Sequence, residues 1–227
     1  MARFVKALGR NRDIPQLETY SGVAVNAGTS SDFEHIITAL PDLTAGAPSG
    51  GAGNVPSNAM SIRYCLLTFE AAITGAATDN CTFKFRQRRG GTLVATTTAT
   101  TAVASAGLAT ITPASMANIF AGQSLDISGG TGTAETVIVQ KTTSTTFDAV
   151  FANTHSGTYN IVQTPLASIT FDNGVNAAAW TPLQFTAKRN IVQRGDVITV
   201  QRVSSTSTGL ASPAYEAAID WASAGLS

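Results

Sequence analysis

Met116–Tyr159, MANIFAGQSLDISGGTGTAETVIVQKTTSTTFDAVFANTHSGTY, is written in short strands and tight turns with very little charge. Leu125 and Ile127 alternate with Asp126, Gly129-Gly130 and Gly132 turn the chain, and Val137–Val139 and Phe147–Phe151 supply two further strands. The pattern predicts a small all-β unit. Its limits follow from the punctuation around it. It begins soon after Gly90-Gly91 and ends near Tyr159–Gln163, because Pro165 interrupts the pattern and strand runs of another kind resume.

Working outward, Phe33–Leu40, Ser61–Phe69 and Cys81–Arg88 read as strands before the unit. In the last of these Cys81, Phe83 and Phe85 alternate with Thr82, Lys84 and Arg86, a period of two. After the unit come Ile169–Phe171, Leu183–Thr186, Val192–Val203 and Ala214–Trp221. In Val192–Val203, Ile198, Val200 and Arg202 share one face and Val197, Thr199 and Gln201 the other. Neither flank has enough strands for a sandwich of its own. The expected organisation is therefore an N-terminal arm (1–30), a β-sandwich built from 31–90 and 164–227, and a small β-barrel-like domain, 91–163, inserted into it. The arm has too few large apolar residues for a core. Its Arg3, Lys6, Arg10 and Arg12 either pair with acidic surface on a neighbour or stay solvated.

Composition narrows the function classes. Of 227 residues only 12% are charged, about half the usual share, and the formal net charge is zero. A surface so poor in charge suits a protein covered by partner subunits, and a neutral chain has no global field for nucleic acid or an anionic membrane. The basic start, Met1–Arg10, has no apolar run behind it, so no secretory signal is expected. Gly90–Leu125 is free of charge, but it is Thr/Ala/Ser/Gly-rich and broken by Pro113, which argues against a membrane span.

Catalytic chemistry is hard to find. His35 and His155 sit in no catalytic phrase, and Gly122-Gln123-Ser124-Leu125-Asp126 departs from the nucleophile elbow at its last position and leads into a strand. The loop Gly46–Pro56 lacks the Gly-Lys-Ser/Thr ending of a phosphate cradle. The carboxylates Glu70, Asp79, Glu135, Asp148, Asp172, Asp196 and Glu216 cannot be paired by sequence. No metal or other cofactor is called for, since Cys65 and Cys81 lack nearby histidines. A hairpin turning at Gly75 would bring these cysteines near each other, as buried thiols or as a disulfide. Three arginines, Arg86, Arg88 and Arg89, crowd one strand end, where they could grip a neighbour's carboxylates or guard a sheet edge. Trp180 and Trp221 are candidate packing or subunit anchors.

The pattern Gly122-x-x-Leu125-x-Ile127, Glu135-Thr136-Val137-x-Val139, Thr145-Thr146-Phe147-x-Ala149-x-Phe151, His155-x-Gly157 resembles a small β-domain that recurs in bacteriophage virion proteins. Leu183-x-Phe185, Arg194-Gly195-Asp196-Val197-Ile198-Thr199-Val200, Gly209 and Pro213 resemble the late strands of jelly-roll-like proteins on the outside of phage capsids and tails. Together these resemblances imply an all-β, jelly-roll-like sandwich. They also imply a non-enzymatic capsid decoration or cement protein of a tailed phage: made in the host cytoplasm, bound to the major capsid protein on the virion exterior, and trimeric. A tail, neck or fibre component is the alternative, with 91–163 binding a host-surface glycan.

Overall fold

Every regular element is a β-strand among the residues that the computed structural model describes, namely 16–22, 33–39, 60–193, 195–204 and 210–223. Ahead of the inserted unit's own sheet these are β1 (Gln16–Gly22), β2 (Phe33–Ala39), β3 (Met60–Phe69), β4 (Ile73–Thr74), β5 (Cys81–Arg89) and β6 (Thr92–Leu93), the last falling inside the expected span 91–163 but pairing with β5. Within that sheet lie β7 (Thr97–Ala99), β8 (Gly107–Ile111), β9 (Ser124–Ser128), β10 (Glu135–Thr142), β11 (Phe147–Phe151) and β12 (Tyr159–Gln163). After it come β13 (Ala167–Phe171), β14 (Asn176–Ala177), β15 (Leu183–Thr186), β16 (Asp196–Ser204) and β17 (Tyr215–Ser223).

The flanks interleave. One antiparallel sheet runs β1-β17-β3-β15 and a second β13-β5-β16-β2, so each takes strands from both sides of the inserted unit. Their inner faces share one core. Cys65, Leu67 and Phe69 of β3 and Ile219 of β17 meet Cys81, Phe83 and Phe85 of β5 and Ile198 and Val200 of β16. Phe69, Phe83, Phe171 and Tyr215 stack edge-on or tilted across the gap, with centroids 5.3 Å apart for Phe69–Phe83 and 5.4 Å for both Phe69–Phe171 and Phe83–Tyr215. Such pairs contribute about 0.5–1.5 kcal/mol each beyond the area they bury. Arg202 lies fully buried on the same face as Ile198 and Val200, and its Nη2 donates to the Leu210 carbonyl.

Two expectations need correction. Cys65 and Cys81 are not hairpin neighbours: β3 and β5 belong to opposite sheets, because the apolar faces on either side of the Gly75 turn bury by packing against each other rather than by pairing edge to edge. Both thiols are free and buried. Gln16–Gly22, within the span read as an arm, is an edge strand in register with β17, from Gln16↔Trp221 to Gly22↔Tyr215. The loop Gly46–Pro56 and residues 1–15 lie outside the described residues.

The inserted unit has a separate core, drawn from Val94 to Ile161. Its six strands form one curled, half-barrel sheet in the order β7-β12-β9-β10-β11-β8. The curl starts at a bulge between Val139 and Lys141, where β10 passes from pairing with β9 to pairing with β11. Its edges approach each other where Ala99 bridges Pro113 and the Ala114 amide donates to the Thr98 carbonyl at 2.7 Å. The chain leaves and rejoins the sandwich at one place, since the Gln163 amide donates to the Val94 carbonyl and the Leu166 amide to that of Phe85.

Candidate interaction surface

The Glu135 to His155 stretch of the inserted unit closes on itself. Glu135 accepts hydrogen bonds from the amides of Ala152 and Asn153 and from His155 Nε2 at 2.7 Å. Burial alone would raise the Glu135 carboxyl; the two amides and the imidazole outweigh it and hold the group below the ordinary range. His155 is buried between Phe151 and Tyr159. It is a buried residue of the loop between β11 and β12, the hairpin-end position that the neighbouring Ser156 and Gly157 suggest. Gly132 makes the lock possible, because a Cβ there would lie 2.2 Å from the Thr154 carbonyl oxygen and 3.0 Å from His155 Nδ1. Among the described residues no group of three or more His, Cys, Asp or Glu is gathered to hold a metal ion.

The arginine cluster is largely engaged within the chain. Arg88 reaches across β16 to grip Glu34 of β2 with both Nε and Nη2 at 2.6 Å. That guanidinium, helped by Thr199, holds the Glu34 carboxyl below the ordinary range against the effect of burial. Arg89 grips Asp196, and its Nη1 donates to Asn118 Oδ1 of the inserted unit. Arg86 is half-buried and donates to Gln201 Oε1 at 3.4 Å; burial lowers its pKa, while Asp126 of the inserted unit opposes the fall. The Arg89–Asn118 bond ties the unit to the sandwich.

Trp180 is placed very differently. It is 69% exposed and sits at φ +57°, with its amide donating to the Phe69 carbonyl at 2.8 Å. Val175 is exposed on the neighbouring turn, which is laced to the turn at Gly75 by Gly75 N to Val175 O and Gly174 N to Gly75 O. The Glu70 amide donates to the Ala214 carbonyl, bringing a third segment in. This tip is the end of the sandwich opposite the inserted unit: Phe171 pairs with Cys81 there, while Asp196 pairs with Arg89 at the other end. The described segments that build it, 64–83, 172–187, 203–204 and 210–218, contain Glu70, Asp79, Asp172 and Glu216 and no Lys or Arg. None of the four carboxylates is in an ion pair among the described residues.

A second apolar feature lies on the outer face of the curled sheet. Leu108 and Val150 are directly paired across β8 and β11, and Ile138 on β10 continues the row. They are 67%, 51% and 61% exposed. Sequence reading missed this row and the acidic tip. The signal for the row is an aliphatic residue at the polar phase of each strand. Arg3, Lys6, Arg10, Arg12 and the Trp221 side chain lie outside the described residues, although the Trp221 backbone pairs with Gln16 and Ile62.

The chain matches no family model, no curated protein and no solved structure.

Proposed function

We propose that this chain is a structural virion protein that binds the outside of an assembled phage capsid and stabilises it, as a homotrimer with a jelly-roll-like sandwich. The observation that carries this reading is exposed apolar chemistry at both ends of a charge-poor molecule: Trp180 and Val175 at the tip, Leu108, Val150 and Ile138 on the inserted unit. Uncharged sheet surface of this kind is costly to leave in water and favourable to cover. The engagement of Arg88 and Arg89 with the chain's own carboxylates adds support, since it removes charge that would oppose close docking. The mechanism is mass action. A protein that binds only the assembled shell shifts the equilibrium toward that shell by the free energy of its binding.

The test is the copy number of the chain in purified particles, with and without it. A number equal to the shell subunits or a simple fraction of them, together with a higher disassembly temperature when it is bound, is the expected result. A handful of copies per particle would move the chain to the tail or a fibre, and absence from mature particles would end the reading.

A further inference from the structure

We infer that the tryptophan-bearing acidic tip of one copy receives the basic segment 1–15 of another copy, in a head-to-tail contact. The inference deepens the trimeric assembly proposed above and rests on it. Three observations carry it.

The first is charge. Residues 1–15 hold Arg3, Lys6, Arg10 and Arg12 against Asp13, four positive and one negative, a net of +3. The tip offers Glu70, Asp79, Asp172 and Glu216, and the segments that build it carry no positive side chain. Guanidinium groups bind carboxylates through paired hydrogen bonds and also lie over indole faces, so one arm can use both chemistries of this tip. Phe4, Val5 and Leu8 between the basic residues supply apolar surface to set against Trp180 and Val175.

The second is presentation. A bulky residue at φ +57° is an uncommon backbone state, and here it is fixed by the bond from Trp180 N to Phe69 O. A pre-set aromatic side chain binds with little further loss of conformational freedom.

The third is polarity. β1 begins at Gln16, opposite Trp221, and ends at Gly22, opposite Tyr215. Tyr215 pairs with Phe69, whose carbonyl holds Trp180, so β1 runs toward the tip and the segment before it starts from the far end. The six steps from Tyr215 to Trp221 span about 20 Å at ~3.3 Å per residue. The segment before Gln16 is thus joined to the end of β1 far from its own tip, and fifteen residues can span at most about 50 Å. A contact between unlike ends is heterologous, and such contacts close into rings when the rotation between copies allows it.

The experiment uses two complementary variants of the full protein. One lacks residues 2–15 and keeps the tip; the other keeps the arm and carries Trp180→Ala with Glu70→Lys and Asp79→Lys, all at exposed positions. Far-UV circular dichroism and melting curves check that both are folded. In sedimentation velocity and native mass spectrometry the unaltered chain should associate, each variant alone should weaken that association by about tenfold or more, and their mixture should form a complex that stops at two copies. High salt should weaken the mixed complex. Association of the arm-deleted variant at unchanged strength, or a mixture that stays monomeric, would overturn the inference. So would an unaltered chain that stays monomeric while removal of residues 2–15 opens Trp180 to acrylamide quenching in a Trp221→Phe background, which puts the arm on its own tip. Any of these failures would leave the particle copy number untouched, so the capsid reading is judged separately.

Discussion

Arg89 and Asp196 form a buried, two-point ion pair, Nε to Oδ1 at 2.6 Å and Nη2 to Oδ2 at 2.8 Å, with no exposure of the Asp196 side chain. Gln87 Nε2 at 2.7 Å and the Gln193 amide at 2.8 Å fill the remaining acceptor positions on Oδ2. Gln87 in turn accepts from Gln163 of the inserted unit, and Arg89 donates to Asn118. One carboxylate thus organises the joint between the two cores. Replacing Asp196 by Ala leaves a guanidinium and an amide without their acceptor, and removing one partner of such a pair costs about 3–5 kcal/mol. Asp196→Ala should lower the unfolding free energy measured in urea titrations by that amount, and a loss below about 1 kcal/mol would show that the pair is dispensable.

The Glu135 lock should appear as acid sensitivity. Its carboxyl is held below the unfolded value of about 4.3, so its stabilisation is complete above that value and is lost as pH falls through the lower folded value. Glu34, lowered by Arg88, acts in the same direction. Melting temperature should therefore fall below about pH 4, and the fall should be shallower in Glu135→Gln. Parallel curves for the two proteins would sink this account.

Glycine positions separate crowding from backbone strain. A Cβ at Gly75 would lie 2.0 Å from the Phe171 carbonyl carbon and 2.3 Å from the Asp172 nitrogen, both backbone atoms. At Gly91, with φ +83°, nothing stands within 4 Å. Gly75→Ala should cost about 2 kcal/mol or more by forcing the two turns apart, and Gly91→Ala about 1–2 kcal/mol from conformation alone. Chemical denaturation of both variants reads the difference; equal losses would contradict the packing described at Gly75.

The thiols should be silent in the native state. Burial raises both Cys65 and Cys81, with Arg202 partly offsetting the rise at Cys81. A thiol reagent should react with neither until the protein unfolds, and with both in denaturant. Rapid labelling of either under native conditions would show that the sandwich opens locally.

Several strands announce themselves by local alternation and are legible in the sequence, although β12, with Tyr159 and Ile161 in phase, reads there only as the end of the unit. The two-residue period of β5, the Leu125/Ile127 and Val137/Val139 phases and the shared face of Ile198, Val200 and Arg202 all correspond to buried positions. What escaped depends on distant partners. β1 carries little apolar signal and is a strand because β17 offers it an edge. The acceptors of Arg88 and Arg89 lie 54 and 107 residues away, so a dense basic cluster looked available when two of its members are held internally. The tip is a product of three segments that meet only in the fold, and the stretch Ala177–Trp180 gives no hint that its indole is held in solvent.

The position of β17 has a further consequence for the order of assembly during synthesis. This strand, built from residues 215–223, fills the gap between β1 and β3, two strands that do not pair with each other. The inserted unit needs nothing beyond residue 163 to close its own sheet and can be complete while the ribosome is still working. The sandwich must wait, with β1 unpaired and one edge of β3 open, until its closing strand emerges. A chain interrupted before Tyr215 thereby keeps a bare edge on β3, however well its middle has matured.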